Sequence, residues 1–287
     1  MSATSWRLQV RHHTGLKYGS PVIVSFNEAR MTPVDDVGQT LLSHSMMVNP
    51  GASIQRYVDY WGTAVEGFDV HEEHTILEVT ALSIVETAVR IFPTRPDITW
   101  NDVHDEAVVD RWCEFLRTTG YVDDAMTDPA RASLVAELQR EPTPYQALVA
   151  IVDAVRAHLF YYPGSTSVST TASQAWARGA GVCQDFTHTT LSLLRACGIP
   201  ARYVSGYLYT GEGVVGVQVV GESHAWVEAW LGEWVAVDPT NGRDVDATHV
   251  VVARGRDYSD VSPLKGIYSG GRSQDLGVEV SLIRLPR

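Results

Sequence analysis

From residue 6 to about residue 90 the chain alternates apolar and polar positions in short runs such as Trp6 to Val10 and Leu77 to Val85. These runs are interrupted by Gly15, Gly19, Pro21, Pro33, Gly38, Pro50, Gly51 and Gly62. Period-two alternation sends successive side chains to opposite faces of a strand, and the glycines and prolines read as turns, so the segment predicts an antiparallel β sandwich. Phe92, Pro93 and Pro96 mark a boundary. Beyond it the pattern becomes helical over His104 to Thr118, Pro129 to Arg140 and Pro144 to Leu159. A further helix is predicted from Cys183 to Cys197, stopped by Gly198 and Pro200. Strands are expected near Ala201 to Leu208, Val214 to Val220, Ala225 to Leu231, Trp234 to Val237, Thr248 to Ala253 and Gly277 to Leu285. The fold class is therefore α+β: an N-terminal antiparallel β domain over 1–92, a helical connection over 93–145, and a core over 146–287 in which a helix packs on an antiparallel sheet.

Cys183 sits where a glycine-rich turn, Gly179-Ala-Gly-Val-Cys, enters the predicted helix. Cysteine attacks as its thiolate, and the unpaired N-H groups and positive dipole end of a first helical turn favour that anion. The same N-H groups suit a developing oxyanion. His188 lies about 140° around the helix from Cys183, by the 3.6-residue period, and is a poor base; with Asp185 it could form a supporting pair instead. His224 opens an alternating strand, and Asp238 ends the strand that returns from it. A two-residue loop would place Asp238 on the face away from His224. A three-residue loop, Leu231 to Glu233, makes it the diagonal neighbour of His224, where a carboxylate can orient the imidazole. Trp226, Trp230 and Trp234 either line a groove or pack, and Tyr161 and Tyr162 either approach the site or anchor a helix end.

Four runs resemble the transglutaminase-like superfamily of cysteine enzymes in its bacterial form: Gly181-Val-Cys-Gln-Asp-Phe-Thr-His188, Gly198-Ile-Pro-Ala-Arg-Tyr-Val-Ser-Gly-Tyr207, Ser223-His-Ala-Trp-Val-Glu228 and Trp234-Val-Ala-Val-Asp-Pro-Thr-Asn-Gly242. Ala253-Arg-Gly-Arg-Asp-Tyr-Ser-Asp260 resembles the tail of that group. Tyr18, Pro21, Val22 and Asn27 to Arg30 resemble the β-rich domain that precedes its core. The resemblance implies a papain/transglutaminase-like core with Cys183 as nucleophile, His224 as base and Asp238 as orienter. It leaves the reaction open between protein crosslinking, peptidase and amidase chemistry. No cluster matches the calcium ligands of animal transglutaminases, and no cofactor is expected.

Composition narrows the partners. The 287 residues carry 22 Lys+Arg against 34 Asp+Glu, a formal net charge of −12, which argues against nucleic-acid binding. No run approaches the roughly 20 apolar residues of a membrane helix, and Met1 to Gly15 contain no apolar stretch of signal-peptide length. The three cysteines, Cys113, Cys183 and Cys197, have no framework spacing. These features fit a reducing cytoplasm and no membrane partner. A zinc site lacks Cys-x-x-Cys or His-Glu-x-x-His spacing, so no metal site is expected, and a serine hydrolase lacks Gly-x-Ser-x-Gly. The expectation is cysteine-dependent acyl transfer or hydrolysis on a peptide or protein substrate, with an amine or water as acceptor. The rival is a non-catalytic peptide-binding module on the same fold.

Overall fold

The computed structural model describes residues 5–88, 97–221 and 223–286; the expected boundary at Phe92, Pro93 and Pro96 lies outside them. In chain order the strands and helices are β1 (Ser5–Val22), β2 (Val24–Ala29), β3 (Gln39–Asn49), β4 (Ile54–Val58), β5 (Ala64–Val70), β6 (His74–Ala88), α1 (Trp100–Val103), α2 (Glu106–Arg111), α3 (Pro129–Leu138), α4 (Pro144–His158), β7 (Phe160–Tyr161), α5 (Ala172–Arg178), β8 (Ala180–Gly181), α6 (Cys183–Ala196), β9 (Ala201–Leu208), β10 (Gln218–Gly221), β11 (Ser223–Trp230), β12 (Trp234–Asp238), β13 (Arg243–Asp244), β14 (His249–Gly255), α7 (Tyr258–Val261), β15 (Leu264–Ser269) and β16 (Ser273–Leu285). The α+β class predicted from the sequence is the one found. Among the described residues no helix is long and apolar enough to cross a membrane.

Three antiparallel sheets carry the molecule, in the orders β10-β16-β1-β6-β3, β15-β2-β5-β4 and β13-β12-β11-β9-β14. The first two face each other as a sandwich around Tyr18, Val22, Met31, Phe68, Leu77 and Val79. The third belongs to the core. The strand expected over Gly277 to Leu285 forms, but as β16 it pairs along β1 from Arg7↔Leu285 to Tyr18↔Ser273. It therefore sits in an N-terminal sheet, as does β10, which pairs with β16. Alternation alone fixes a strand's two faces and says nothing of its neighbour. The helix expected over His104 to Thr118 is interrupted. Asp105 caps α2 by accepting from Ala107 N at 2.9 Å, and a separate 3-10 turn follows over Cys113–Phe115. With no buried residue in α2 to anchor a longer helix, the local cap decides where it begins.

One face of the first sheet serves two partners. Along β1 the alternate positions Leu8, Val10, His12 and Thr14 are all buried. Leu8 and Val10 join Val85, Val280 and Leu282 in packing on the core, whereas Tyr18, Leu77 and Val79 further along pack on the second sheet. Polar contacts add to the junction: Gln39 Nε2 donates to Val251 O at 2.8 Å, Thr87 Oγ1 to Ala247 O at 2.6 Å, and Arg254 bridges Asp36 at 2.6 Å.

The core is built around α6. Every residue of this helix from Gln184 to Arg195 is buried. The sheet residues Ala225, Val227 and Ala229 cover one side, and α4 brings Leu148, Ile151 and Val155. Two of its threonines tolerate this because Thr187 and Thr190 return their hydroxyls to Cys183 O and Phe186 O, each at 2.8 Å, whereas the buried Thr189 hydroxyl has no partner.

Candidate active site

Gly179 ends α5 in the left-handed region at φ 67°. The next two residues form β8, which runs parallel to β7, and α6 then begins at Cys183. Asp185 holds this entry: its Oδ2 accepts from Val182 N at 2.8 Å and from Thr166 Oγ1 at 2.6 Å. The fit requires glycine at 181, where a Cβ would lie 2.5 Å from the Asp185 Cβ. Burial pushes the Asp185 carboxyl above its ordinary value, against the hydrogen bonds from Thr166 and Val182 that favour the anion. Asp185 thus forms the turn before the cysteine and does not pair with His188. That histidine is fully buried, accepts from Tyr258 N at 3.2 Å, and is lowered by burial to about 3. It stacks on Tyr121 with ring centroids 5.2 Å apart.

Cys183 is half-buried, and its Sγ lies 3.9 Å from the carbonyl oxygen of Ser223, the residue before His224. The hairpin that presents His224 takes the three-residue option: Trp230 pairs with Trp234 and Val227 with Val237, leaving Leu231 to Glu233 as the loop. Extending that register sets Asp238 opposite Trp226. His224 Nε2 meets Asp238 Oδ2 at 2.7 Å. That leaves Nδ1 as the ring nitrogen available to Cys183, which lines the same cavity. Burial alone would lower the imidazole, but the bond to Asp238 and the nearby Cys183 outweigh it and raise His224 to about 9. The structure therefore brings together all three residues singled out from the sequence.

His249 was not among them. Its Nε2 lies 3.4 Å from Asp238 Oδ2, and its Nδ1 faces Asp246 Oδ1 at 3.3 Å. Asn241 Nδ2 donates to the same Asp238 oxygen at 2.7 Å, while Thr240 N and Asn241 N donate to Oδ1 at 3.0 and 3.1 Å. Burial disfavours the Asp238 anion, but the bonds from His224 and His249 hold the carboxyl far below the usual carboxylate range. The signal for Asn241 was local, since an Asp-Pro-Thr-Asn turn commonly folds back on its aspartate. For His249 there was none, because strand pairing with β9 brings it in. The reactive atoms of His224, Asp238 and His249 lie within 4.8 Å of one another and could hold a metal ion. Each is also accounted for as a hydrogen-bond partner.

The tryptophans pack. Trp226 is fully buried, and Trp112 sits between Trp230 and Trp234 at centroid distances of 5.0 and 4.9 Å. Tyr161 and Tyr162 are exposed beside the entry turn, where Tyr162 N donates to Gly181 O at 3.0 Å. A cavity of about 550 Å³ opens at Cys183 and His224 and is also lined by residues of β1, β15 and β16.

Comparison with known proteins agrees with this architecture. Residues 132–239 match the transglutaminase-like superfamily core, and residues 8–86 match the bacterial transglutaminase-like N-terminal region. An uncharacterized protein of Mycobacterium leprae is 44% identical over 98% of this chain and 99% of its own length. A protein-glutamine gamma-glutamyltransferase of Pseudomonas aeruginosa is 32% identical over 122 residues, 39% of this chain and 18% of that protein. A solved structure from Cytophaga hutchinsonii, provisionally named a cysteine protease, superposes with a TM-score of 0.79 at 23% identity, covering 99% of this chain and 92% of that one. The chain belongs to the transglutaminase-like superfamily, in the bacterial form that carries this N-terminal region.

Proposed function

We propose that the protein is a cysteine acyltransferase or hydrolase acting on a carboxamide or peptide carbonyl. The Cys183 thiolate adds to the carbonyl carbon, and the oxyanion is received by the N-H groups of Cys183 and Gln184 at the start of α6. The His224 imidazolium gives its proton to the departing nitrogen, so ammonia or an amine leaves and a thioester to Cys183 remains. Neutral His224 then takes a proton from water or from an amine as that nucleophile attacks, and the thiolate leaves. Asp238 holds the ring with Nδ1 toward sulfur and favours its protonated form.

The observation that carries this reading is His224, bonded to Asp238 at 2.7 Å and sharing one cavity with Cys183. A peptide-holding module needs no such polarised imidazole. The reading also places the protein in the cytoplasm, where the free thiols of Cys113, Cys183 and Cys197 persist. Mass spectrometry of a peptide library incubated with wild type and with Cys183→Ala, with and without a primary amine, tests the proposal. Deamidation, cleavage and amine incorporation give different mass changes. Full turnover by folded Cys183→Ala would refute it.

A further inference from the structure

Strand β1 carries an anomaly on its inward face. Leu8 and Val10 are buried aliphatics, but the next two inward positions are His12, only 1% exposed, and Thr14. Polar side chains at such positions cost stability unless they gain partners. His12 has one, Tyr207 Oη, 2.9 Å from its Nδ1, while its Nε2 is buried without a partner. Burial raises the Tyr207 phenol, so it keeps its proton. If that proton is given to Nδ1, a single donor is left over, the Nε2-H of His12. The opposite tautomer would leave two groups unsatisfied, the Tyr207 O-H and the Nε2 lone pair. Burial also lowers His12 to about 4, so the ring is neutral at physiological pH.

His12 and Thr14 line the cavity that holds Cys183 and His224. They stand where β1 passes from packing on the core to packing on the second sheet. Val278, directly opposite Thr14 on β16, is 42% exposed and lines the same wall. None of the described lining side chains is Asp, Glu, Lys or Arg. Outside the Cys183–His224 pair itself, whose charges offset each other, a charged group entering such a cleft loses hydration without gaining a counter-charge, whereas an amide finds hydrogen-bonding partners.

We propose that the N-terminal sheet forms half of the acyl-donor site, with His12 and Thr14 as its specificity-determining wall, and that this site selects an uncharged, amide-rich substrate segment. This rests on Cys183 being the nucleophile. The cleft then reads the residues flanking the scissile amide, and His12 donates from Nε2 to a substrate carbonyl.

The test uses peptides with one internal glutamine flanked by Ala and Ser, by Asp, or by Lys, together with iodoacetamide labelling of Cys183 referenced to exposed Cys113 in the same sample. Wild type is expected to favour the uncharged flanks by tenfold or more in kcat/KM. His12→Phe should lose at least tenfold on that peptide, with Cys183 labelling within twofold of wild type, and His12→Gln should recover part of the loss. Val278→Lys, at a part-exposed position, should raise kcat/KM for the Asp-flanked peptide at least fivefold. Flank-independent turnover, no turnover of any peptide, or variants that change nothing while Cys183 remains fast-labelling would overturn the inference and leave the nucleophile standing. Labelling of Cys183 no faster than Cys113 would overturn both.

Discussion

Replacing Asp238 by asparagine isolates the contribution of the carboxylate, because the amide keeps its shape and its Oδ1 can still accept from Thr240 N and Asn241 N. It then turns an NH₂ group toward His224 Nε2, where the carboxylate oxygen lay at 2.7 Å. In the native fold His224 is raised from 6.5 to about 9, which at about 1.36 kcal/mol per tenfold change favours the imidazolium by roughly 3 kcal/mol, shared between Asp238 and Cys183. Losing one of two anionic partners should return the ring most of the way to its ordinary value. Turnover by wild type is expected to fall as pH rises through about 9. In Asp238→Asn that alkaline limb should move down by about 1 to 2 pH units, and the maximal rate should drop by roughly 10² to 10⁴. Stability gives an independent readout. A raised histidine stabilises the fold fully below its unfolded value of 6.5, and the contribution is lost as pH rises through about 9. The melting-temperature gap between wild type and Asp238→Asn should therefore be large at pH 6 and shrink by pH 10. An unmoved alkaline limb with turnover within threefold of wild type would refute the assignment of Asp238 as the orienting group.

His249→Leu removes one donor from Asp238 Oδ2 without touching the Cys183 pair; steady-state kinetics should show a loss of roughly 5- to 30-fold in kcat, from about 1–2 kcal/mol for a buried hydrogen bond to a charged group. Glu228→Gln takes the buried carboxylate from between Arg202 and Arg254, at 2.6 and 2.9 Å, and leaves two guanidinium groups without their shared anion. Denaturant titration should show about 3–5 kcal/mol less stability, as for other broken buried pairs. Gly206→Ala would set a Cβ 2.0 Å from Val250 O and 2.6 Å from Trp226, at the strand position opposite His224. A melt should show destabilisation of about 3 kcal/mol or more, the upper range for overpacking, because backbone must move.

The candidate site was readable wherever its signal was local. A cysteine after a glycine turn at a helix start, and an aspartate ending the strand that returns from a histidine, announce themselves through periodicity. The hairpin left one ambiguity, two-residue or three-residue loop, and it decided whether Asp238 could meet His224 at all. Packing supplied the answer, since the register that joins Trp230 to Trp234 lets both rings close around Trp112. What the sequence hid was long-range pairing. His249 reaches Asp238 through β14 and β9, and β16 leaves the core to zip along β1, although its alternating pattern would suit either sheet. The same long-range pairing explains why His12 reads as unremarkable in the sequence. Its position is that of any inward strand residue, and only the placement of β1 and β16 across from Cys183 turns a buried histidine with a spare donor into a wall of the cleft. Chemistry carried by sequence neighbours can thus be inferred from spacing, whereas selectivity, set here by strands more than 150 residues from the nucleophile on the N-terminal side and nearly 100 on the other, depends on sheet topology.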